Sequence, residues 1–156
     1  MARGQRLVTE NRKAFHDYFI EETVEAGMAL TGTEVKSIRL GRVNLRDSFV
    51  RIEGGEAFLS NCHIAPYAQG NRWNHDPYRD RKLLLHKQEI RELLAKTREK
   101  GYTLIPVRMY FDLHGRAKVQ VAVARGKKSF DKRQTLHERD ARRQIDRALK
   151  NHRQSH

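Results

Sequence analysis

The sequence predicts a mainly β domain, a small antiparallel barrel carrying two to three helices, followed by a basic, flexible C-terminal tail. One sign is alternation: Val119, Val121 and Val123 share one face of a segment whose other face carries Lys118 and Gln120, the period-2 pattern of a half-buried strand. Another is turn chemistry, with Glu53-Gly54-Gly55-Glu56 set between two short apolar runs. The third is where the apolar pattern stops. Beyond Arg125-Gly126 the large apolar residues thin to Phe130, Leu136, Ile145 and Leu149, while residues 125–156 hold eleven Lys or Arg against four Asp or Glu, a net of +7. Such a segment has too little apolar surface to offset its ordering entropy alone. The predicted division is a β-barrel domain over 1–126 and a basic tail over 127–156.

Taken in order, residues 1–14 are polar and basic, expected to be mobile at first and ordered near Asn11-Arg12-Lys13. His16 to Val24 reads as a strand, with Tyr18, Ile20 and Val24 alternating against charged neighbours. Gly27 permits a bend, after which Met28-Ala29-Leu30 continues as a second strand. A short helix should start at Thr31, because Glu34 stands three residues on at the capping-box spacing. Val35, Ile38 and Leu40 give it an apolar face and Gly41 ends it. Ser48–Ile52 and Ala57–Asn61 form a hairpin around the paired glycines. A polar loop from Pro66 to about Arg81 precedes the run Leu83-Leu84-Leu85. Ile90, Leu93, Leu94 and Thr97 recur at helical spacing up to Gly101. Two long strands, Tyr102–Phe111 and Ala117–Arg125, close the domain. Six or so short antiparallel strands with a helix before the last pair suggest a barrel of the oligonucleotide-binding type, which leaves few open edges.

Composition narrows the function. A formal charge of +13 over 156 residues points to nucleic acid or an anionic membrane surface. The membrane is the weaker choice, since no apolar run approaches the ~18 residues of a spanning helix and no signal-peptide core follows Met1-Ala2-Arg3-Gly4. Cys62 is the only cysteine, which excludes an internal disulfide and a thiolate metal cage and suits a reducing cytoplasm. The eight histidines are scattered with no helical pairing, so neither a metal nor another cofactor is expected. No phosphate-binding loop or nucleophile motif is present in the sequence.

Several stretches are candidate contacts. Around Gly126, the cations Arg125, Lys127, Lys128, Lys132 and Arg133 suit phosphate neutralisation, and Phe130 suits base stacking. Farther on, Ala141, Ile145, Ala148 and Leu149 share a thin helical stripe among Arg139, Arg142, Arg143, Arg147 and Lys150. This segment reads as unfolded alone and helical in a negatively charged channel. The loop Tyr67–Lys82 interleaves three aromatics with Arg72, Arg79, Arg81 and Lys82, a mixture that serves RNA contact and loop anchoring equally. His16 either stacks on a base or sits half-exposed on its strand. Glu21, Glu22 and Glu25 suggest Mg²⁺ chemistry only weakly, since Glu21 and Glu22 point to opposite faces of a strand. Cys62 reads as packing.

In combination, His16-Asp17-Tyr18-Phe19-Ile20-Glu21-Glu22, Glu25-Ala26-Gly27, Gly32-Thr33-Glu34-Val35-Lys36-Ser37, Gly55-Glu56-Ala57-Phe58-Leu59, Arg81-Lys82-Leu83-Leu84-Leu85, Gly126-Lys127-Lys128 and Asp131-Lys132-Arg133 resemble the SmpB family, the SsrA-binding proteins. The resemblance covers about Asn11 to Arg133 and implies a non-enzymatic partner of transfer-messenger RNA in ribosome rescue. It implies an RNA face comprising Asn11, Lys13, His16, Glu25, Leu84, Lys118, Lys127 and Lys128. It also implies a tail, with Phe130, Asp131, Lys132, Arg133, Arg143 and Arg147, entering the decoding centre and the empty mRNA channel of the small ribosomal subunit. Phe130 stands where many family members carry histidine, so stacking is retained and charge is not. Elongation factor Tu and alanyl-tRNA synthetase are implied as indirect partners through the RNA, and the protein as a cytoplasmic monomer. Two other classes stand beside this reading: a structural ribosomal protein with a basic arm, and a metal-dependent RNA-processing enzyme using the glutamates.

Overall fold

Among residues 4–68 and 74–127, which the computed structural model describes, nine strands and three helices follow one another. Their order is β1 (Arg6–Glu10), α1 (Arg12–Asp17), β2 (Tyr18–Met28), α2 (Gly32–Arg39), β3 (Val43–Asn44), β4 (Phe49–Glu53), β5 (Glu56–Ser60), β6 (His63–Ile64), β7 (Arg81–Leu84), α3 (Lys87–Thr97), β8 (Tyr102–Phe111) and β9 (Ala117–Gly126). Seven strands pair antiparallel as β1-β8-β4-β5-β7-β2-β9, and β9 pairs back onto β8. The path through β8, β4, β5, β7, β2 and β9 therefore returns to its start. Its thinnest join is β4 to β8, the single pair Val50↔Leu104. β3 and β6 form a separate pair.

Alternation along β8 and β9 sorts two cores. Leu104, Met109, Phe111, Val119, Val121 and Val123 face the interior with Ala26, Leu59, Leu83, Ile38 and the α3 residues Ile90 and Leu93. On the outer face, Ile105, Val107, Ala122 and Ala124 are buried under Ala14 of α1, flanked by Phe15, Tyr18 and Ile20. Two alanines on β9 leave room for a helix at close range, which is why α1 docks there. Asn11 caps that helix: its Oδ1 accepts from Ala14 N at 3.2 Å, and its Nδ2 donates to Leu45 O and Pro106 O at 3.2 and 3.0 Å.

The expected N-terminal region differs from this in three ways. Arg6–Glu10 is a strand, paired to β8 through Arg6↔Phe111 and Leu7↔Tyr110. His16 lies in the last turn of α1, which ends at Asp17, so the strand starts at Tyr18. That strand also runs unbroken through Gly27 to Met28, with no bend and no second strand at Met28–Leu30. Gly27 serves close packing instead, since a Cβ there would lie 3.3 Å from Leu84 Cβ. α2 begins with the expected capping box and ends before Gly41, whose φ is +73°. Leu40, though, is 59% exposed and lies off its apolar face. Gly54 and Gly55, at φ +59° and +76°, make the tight turn between β4 and β5.

One buried ion pair ties the irregular segments to this sheet. Arg81 and Glu34 side chains are both fully buried, with Arg81 Nε 2.5 Å from Glu34 Oε2. Arg79 meets the other carboxylate oxygen at 2.6 Å, and Thr31 N–H donates to it at 2.8 Å. Arg81 also donates to Cys62 O at 2.6 Å, Pro77 O at 3.1 Å and Asp76 O at 3.3 Å. Burial pushes the Glu34 carboxyl up, but Arg79, the Thr31 N–H and Arg81 together outweigh it and hold the pKa at about 2, against an ordinary 4.5.

Breaking this pair should be costly, because the remaining charge stays buried without its partner. Arg81→Met should lower unfolding free energy by roughly 3–5 kcal/mol in urea titration. The folded pKa of Glu34 lies below its unfolded value, so its contribution, on the order of 3 kcal/mol, is complete above about pH 4.5. It should be lost as the pH falls towards about 2. Stability measured between those limits should fall more steeply in the wild type than in Glu34→Gln.

Candidate nucleic-acid interface

Cross-strand register brings one row of residues together on the outer face of the sheet. Leu7 of β1 lies opposite Tyr110 of β8, Tyr110 opposite Lys118 of β9, Lys118 opposite Gly27 of β2, and Gly27 opposite Leu84 of β7. Opposed residues on paired strands share a face. Leu7 and Leu84 are exposed at the two ends, and Gly27 lets the Leu84 and Lys118 side chains close over its Cα. The next row is polar: Glu10, Arg108, Gln120 and Glu25.

Hydrogen bonds link these rows into a floor. Tyr110 Oη donates to Glu25 Oε2, while Lys118 Nζ lies 4.0 Å from Glu25 Oε1. Arg108 donates to Gln120 Oε1 at 2.9 Å and to Glu10 Oε1 at 3.3 Å, and Gln120 Nε2 donates to Thr23 Oγ1 at 3.1 Å. Burial, followed by the Glu25 hydrogen bond and its negative charge, raises the Tyr110 pKa, so the phenol remains a donor at neutral pH. A groove of about 600 Å³ opens beside this floor, between Glu25, Gly27, Lys118 and the β7–α3 turn at Leu84–Lys87.

The other end of the β2–β9 ribbon carries a second group. Lys13 pairs with Asp47 at 2.7 Å, and the largely exposed His16 meets Asp17 at 2.8 Å. Lys127 Nζ lies 5.4 Å over the Phe19 ring and donates to Phe15 O at 3.5 Å. His16, Tyr18, Tyr102 and Lys127 border an open hollow of about 800 Å³. Lys118 and Gly126 are eight residues apart on β9, on the order of 26 Å. The ribbon between them is bridged by Arg108, whose guanidinium lies 5.0 Å over the Phe15 ring of α1.

The residues chosen from sequence therefore divide into two groups. Glu25, Leu84 and Lys118 meet on the floor, and Lys13, His16 and Lys127 gather around α1. Asn11 is buried, with its side chain committed to capping α1, and serves the site by holding that helix. Lys128, Phe130, Asp131, Lys132, Arg133, Arg143 and Arg147 lie outside the described residues. In the loop, Arg81 and Arg79 are spent on Glu34, Lys82 pairs with Glu56 at 3.1 Å, and Tyr67 lies under Lys36. His75 adds bonds to Thr33 Oγ1 and Ile64 O. The described part of the loop is thus anchored to the body. Arg72 and Trp73 fall outside the described residues.

Glu21 pairs with Arg125 at 3.1 Å and Glu22 with Lys96, and among the described residues no cluster of His, Cys, Asp and Glu could hold a metal ion. Cys62 is fully buried, and burial pushes its thiol up to about 12, which fits packing. Sequence reading missed Tyr110, Arg108 and Leu7. Laying Tyr102–Phe111 against Ala117–Arg125 across their turn would have placed Arg108 and Tyr110 beside Gln120 and Lys118. Leu7 carried no signal, because its strand went unrecognised.

Known proteins match this chain over nearly its whole length. The model of the SmpB protein family matches residues 8–151. An SsrA-binding protein of Geobacillus kaustophilus is 57% identical over 96% of this chain and 97% of its own length. Another, from Carboxydothermus hydrogenoformans, is 60% identical over 94% of this chain and 97% of its own. A solved chain described as "tmRNA-SmpB: a journey to the center of the bacterial ribosome" superposes with a TM-score of 0.66 at 57% identity, covering 76% of this chain and 83% of that one. SmpB is a family of RNA-binding proteins, not of enzymes. With that match spanning the floor, the α1 cluster and the sheet that joins them, the chain belongs to the SmpB family.

Proposed function

We propose that this protein binds the tRNA-like domain of transfer-messenger RNA and delivers it to stalled ribosomes, contributing no bond-breaking chemistry of its own. The single observation that carries this reading is the floor row, Leu7, Tyr110, Lys118, Gly27 and Leu84, with Glu25 held beneath it. Exposed leucines supply contact for sugars and unstacked bases, Lys118 supplies a phosphate partner, and Gly27 lets Leu84 and Lys118 lie close together. Glu25 is the selective element. A carboxylate repels phosphate but accepts from base amines and 2′-hydroxyls, which are features of RNA shape and sequence. The names of the relatives support the same partner.

Lys13, His16, Lys127 and Lys128 extend the contact along the RNA at the α1 end. The tail over 127–156 occupies the decoding centre and the empty mRNA channel: Phe130 stacks, Asp131, Lys132 and Arg133 make the first contacts, and Arg143 and Arg147 follow the channel. Elongation factor Tu and alanyl-tRNA synthetase act through the RNA, and the protein works as a cytoplasmic monomer.

Two experiments check this division. Truncation after Gly126 should leave binding to the tRNA-like domain within a few-fold of the full chain yet abolish tagging of peptides on stalled ribosomes. Equal loss of both would refute it. Tyr110→Phe removes the donor that fixes Glu25, so filter binding should show affinity for the tRNA-like domain reduced roughly 5- to 20-fold. Adding Glu25→Gln to that variant should cost little more, whereas additive losses would mean that the two act independently.

A further inference from the structure

Arg108 joins the floor to the α1 cluster. It stands on the outer face of β8 two residues before Tyr110, opposite Gln120 of β9 and Glu10 of β1. Val107, the residue before it, is also on the outer face and is buried with Ala14 of α1. Consecutive residues of a regular strand point to opposite sides. The bulge between Pro106 and Arg108 is what lets both turn outward. Val107 therefore seats the helix, and Arg108 follows it at the border between the covered and the open part of the ribbon.

Its guanidinium is used in three directions. One nitrogen donates to Gln120 Oε1 at 2.9 Å, another donates to Glu10 Oε1 at 3.3 Å, and the central carbon lies 5.0 Å over the centre of the Phe15 ring. The side chain is 36% exposed, so most of it is committed to the protein. Lysine could not replace it, because a point charge on a flexible stem has no rigid fork and no flat face to stack. The helix needs such a hold. α1 has six residues, too few to be stable alone, and Ala14 is its one buried residue. Phe15 is also gripped at its carbonyl, which accepts from Lys127 Nζ at 3.5 Å. One residue of α1 is thus clasped by the floor through its ring and by the end of the β2–β9 ribbon through its backbone.

We propose that Arg108 is a positioning residue for RNA binding: by clasping Phe15 it holds α1, and with it Lys13, His16 and Lys127, at a fixed distance from Glu25, Leu84 and Lys118. An RNA that spans both groups then meets them already aligned. Once the floor is engaged, the second contact is made at high effective concentration and with little further ordering. Without the clasp α1 shifts against the sheet, and its side chains add little to affinity. The role rests on the RNA reading of the floor and the α1 cluster given above. It differs from a direct phosphate contact by Arg108, which any cation would satisfy.

The test measures the affinity of full-length variants for the isolated tRNA-like domain. Arg108→Gln should lose about fivefold, and Arg108→Lys should stay within about twofold of it although the charge is restored. Phe15→Leu removes the ring and no charge, and should also lose about fivefold. Lys13→Gln/His16→Ala should cost about tenfold in the wild type but less than about threefold in the Arg108→Gln background. Full recovery in Arg108→Lys, or losses that multiply in the combined variant, would make Arg108 an independent contact and overturn the proposal. Thermal denaturation of each variant serves as the folding control. Should Phe15→Leu unseat α1, the Arg108→Lys and combined variants still decide the matter. Absence of wild-type affinity would overturn the proposed function and this role together. Wild-type affinity with multiplying losses would leave the function standing and remove the role alone.

Discussion

The interaction on which the rest depends is the buried contact between Arg81 and Glu34. One guanidinium gathers α2, the carbonyl of Cys62, the carbonyls of Asp76 and Pro77, and the first residue of β7. These segments have little else in common: a short helix, a strand end and a loop. Isolated burial of either charge would be prohibitive, and the pair is tolerable because nearly every donor and acceptor on it is used. Its effect is to specify geometry. With Arg81 fixed, β7 leaves the loop in a set register, Leu83 enters the core, and Leu84 is turned outward opposite Gly27. The floor is therefore positioned by a contact that lies beneath it.

A second constraint comes from β8 and β9, which are buried on both faces along part of their length and polar on the outer face along the rest. Where α1 covers the ribbon, the outward residues are Ile105, Val107, Ala122 and Ala124. Where nothing covers it, they are Arg108, Tyr110, Lys118 and Gln120. The same two strands thus make a packed seat for a helix and an open polar surface, with the change set by residue type alone. The bulge between Pro106 and Arg108 lies at that change. An extra residue on one strand increases local twist and re-aims the side chains that follow.

Much of this was legible in the sequence, and what was not has physical causes. The α2 capping box, the Gly54-Gly55 hairpin and the two long strands each rest on local chemistry, and each formed where that chemistry placed it. β1 did not show because Leu7 and Val8 are two apolar residues in a basic stretch, and their strand exists through pairing with β8. α1 is six residues long, shorter than any reliable periodicity, and depends on Ala14 meeting alanines more than a hundred residues away. Of the site residues, Glu25, Leu84 and Lys118 were reached only through family resemblance. Tyr110, which gives Glu25 its orientation, reads from sequence as one more strand aromatic. Arg81 misled most: in a loop rich in cations and aromatics it looks like a phosphate ligand, and only burial against Glu34 reveals an anchor.

Charge is distributed unevenly across these parts. Of a net +13, residues 125–156 carry +7. Within the floor, Lys118 lies beside Glu25 and Arg108 beside Glu10, pairings that weaken long-range attraction there and leave more to shape and hydrogen bonding. Residues 35–46 hold four cations and no Asp or Glu, and the C-terminal stretch is basic in sequence; charge of that kind attracts polyanions without regard to their sequence. A protein that must distinguish one folded RNA among many gains nothing from a uniformly basic floor, because every RNA would then compete for it. On the proposed reading, Glu25 in the floor and the excess cations elsewhere separate selection from attraction, and each can be strong without eroding the other.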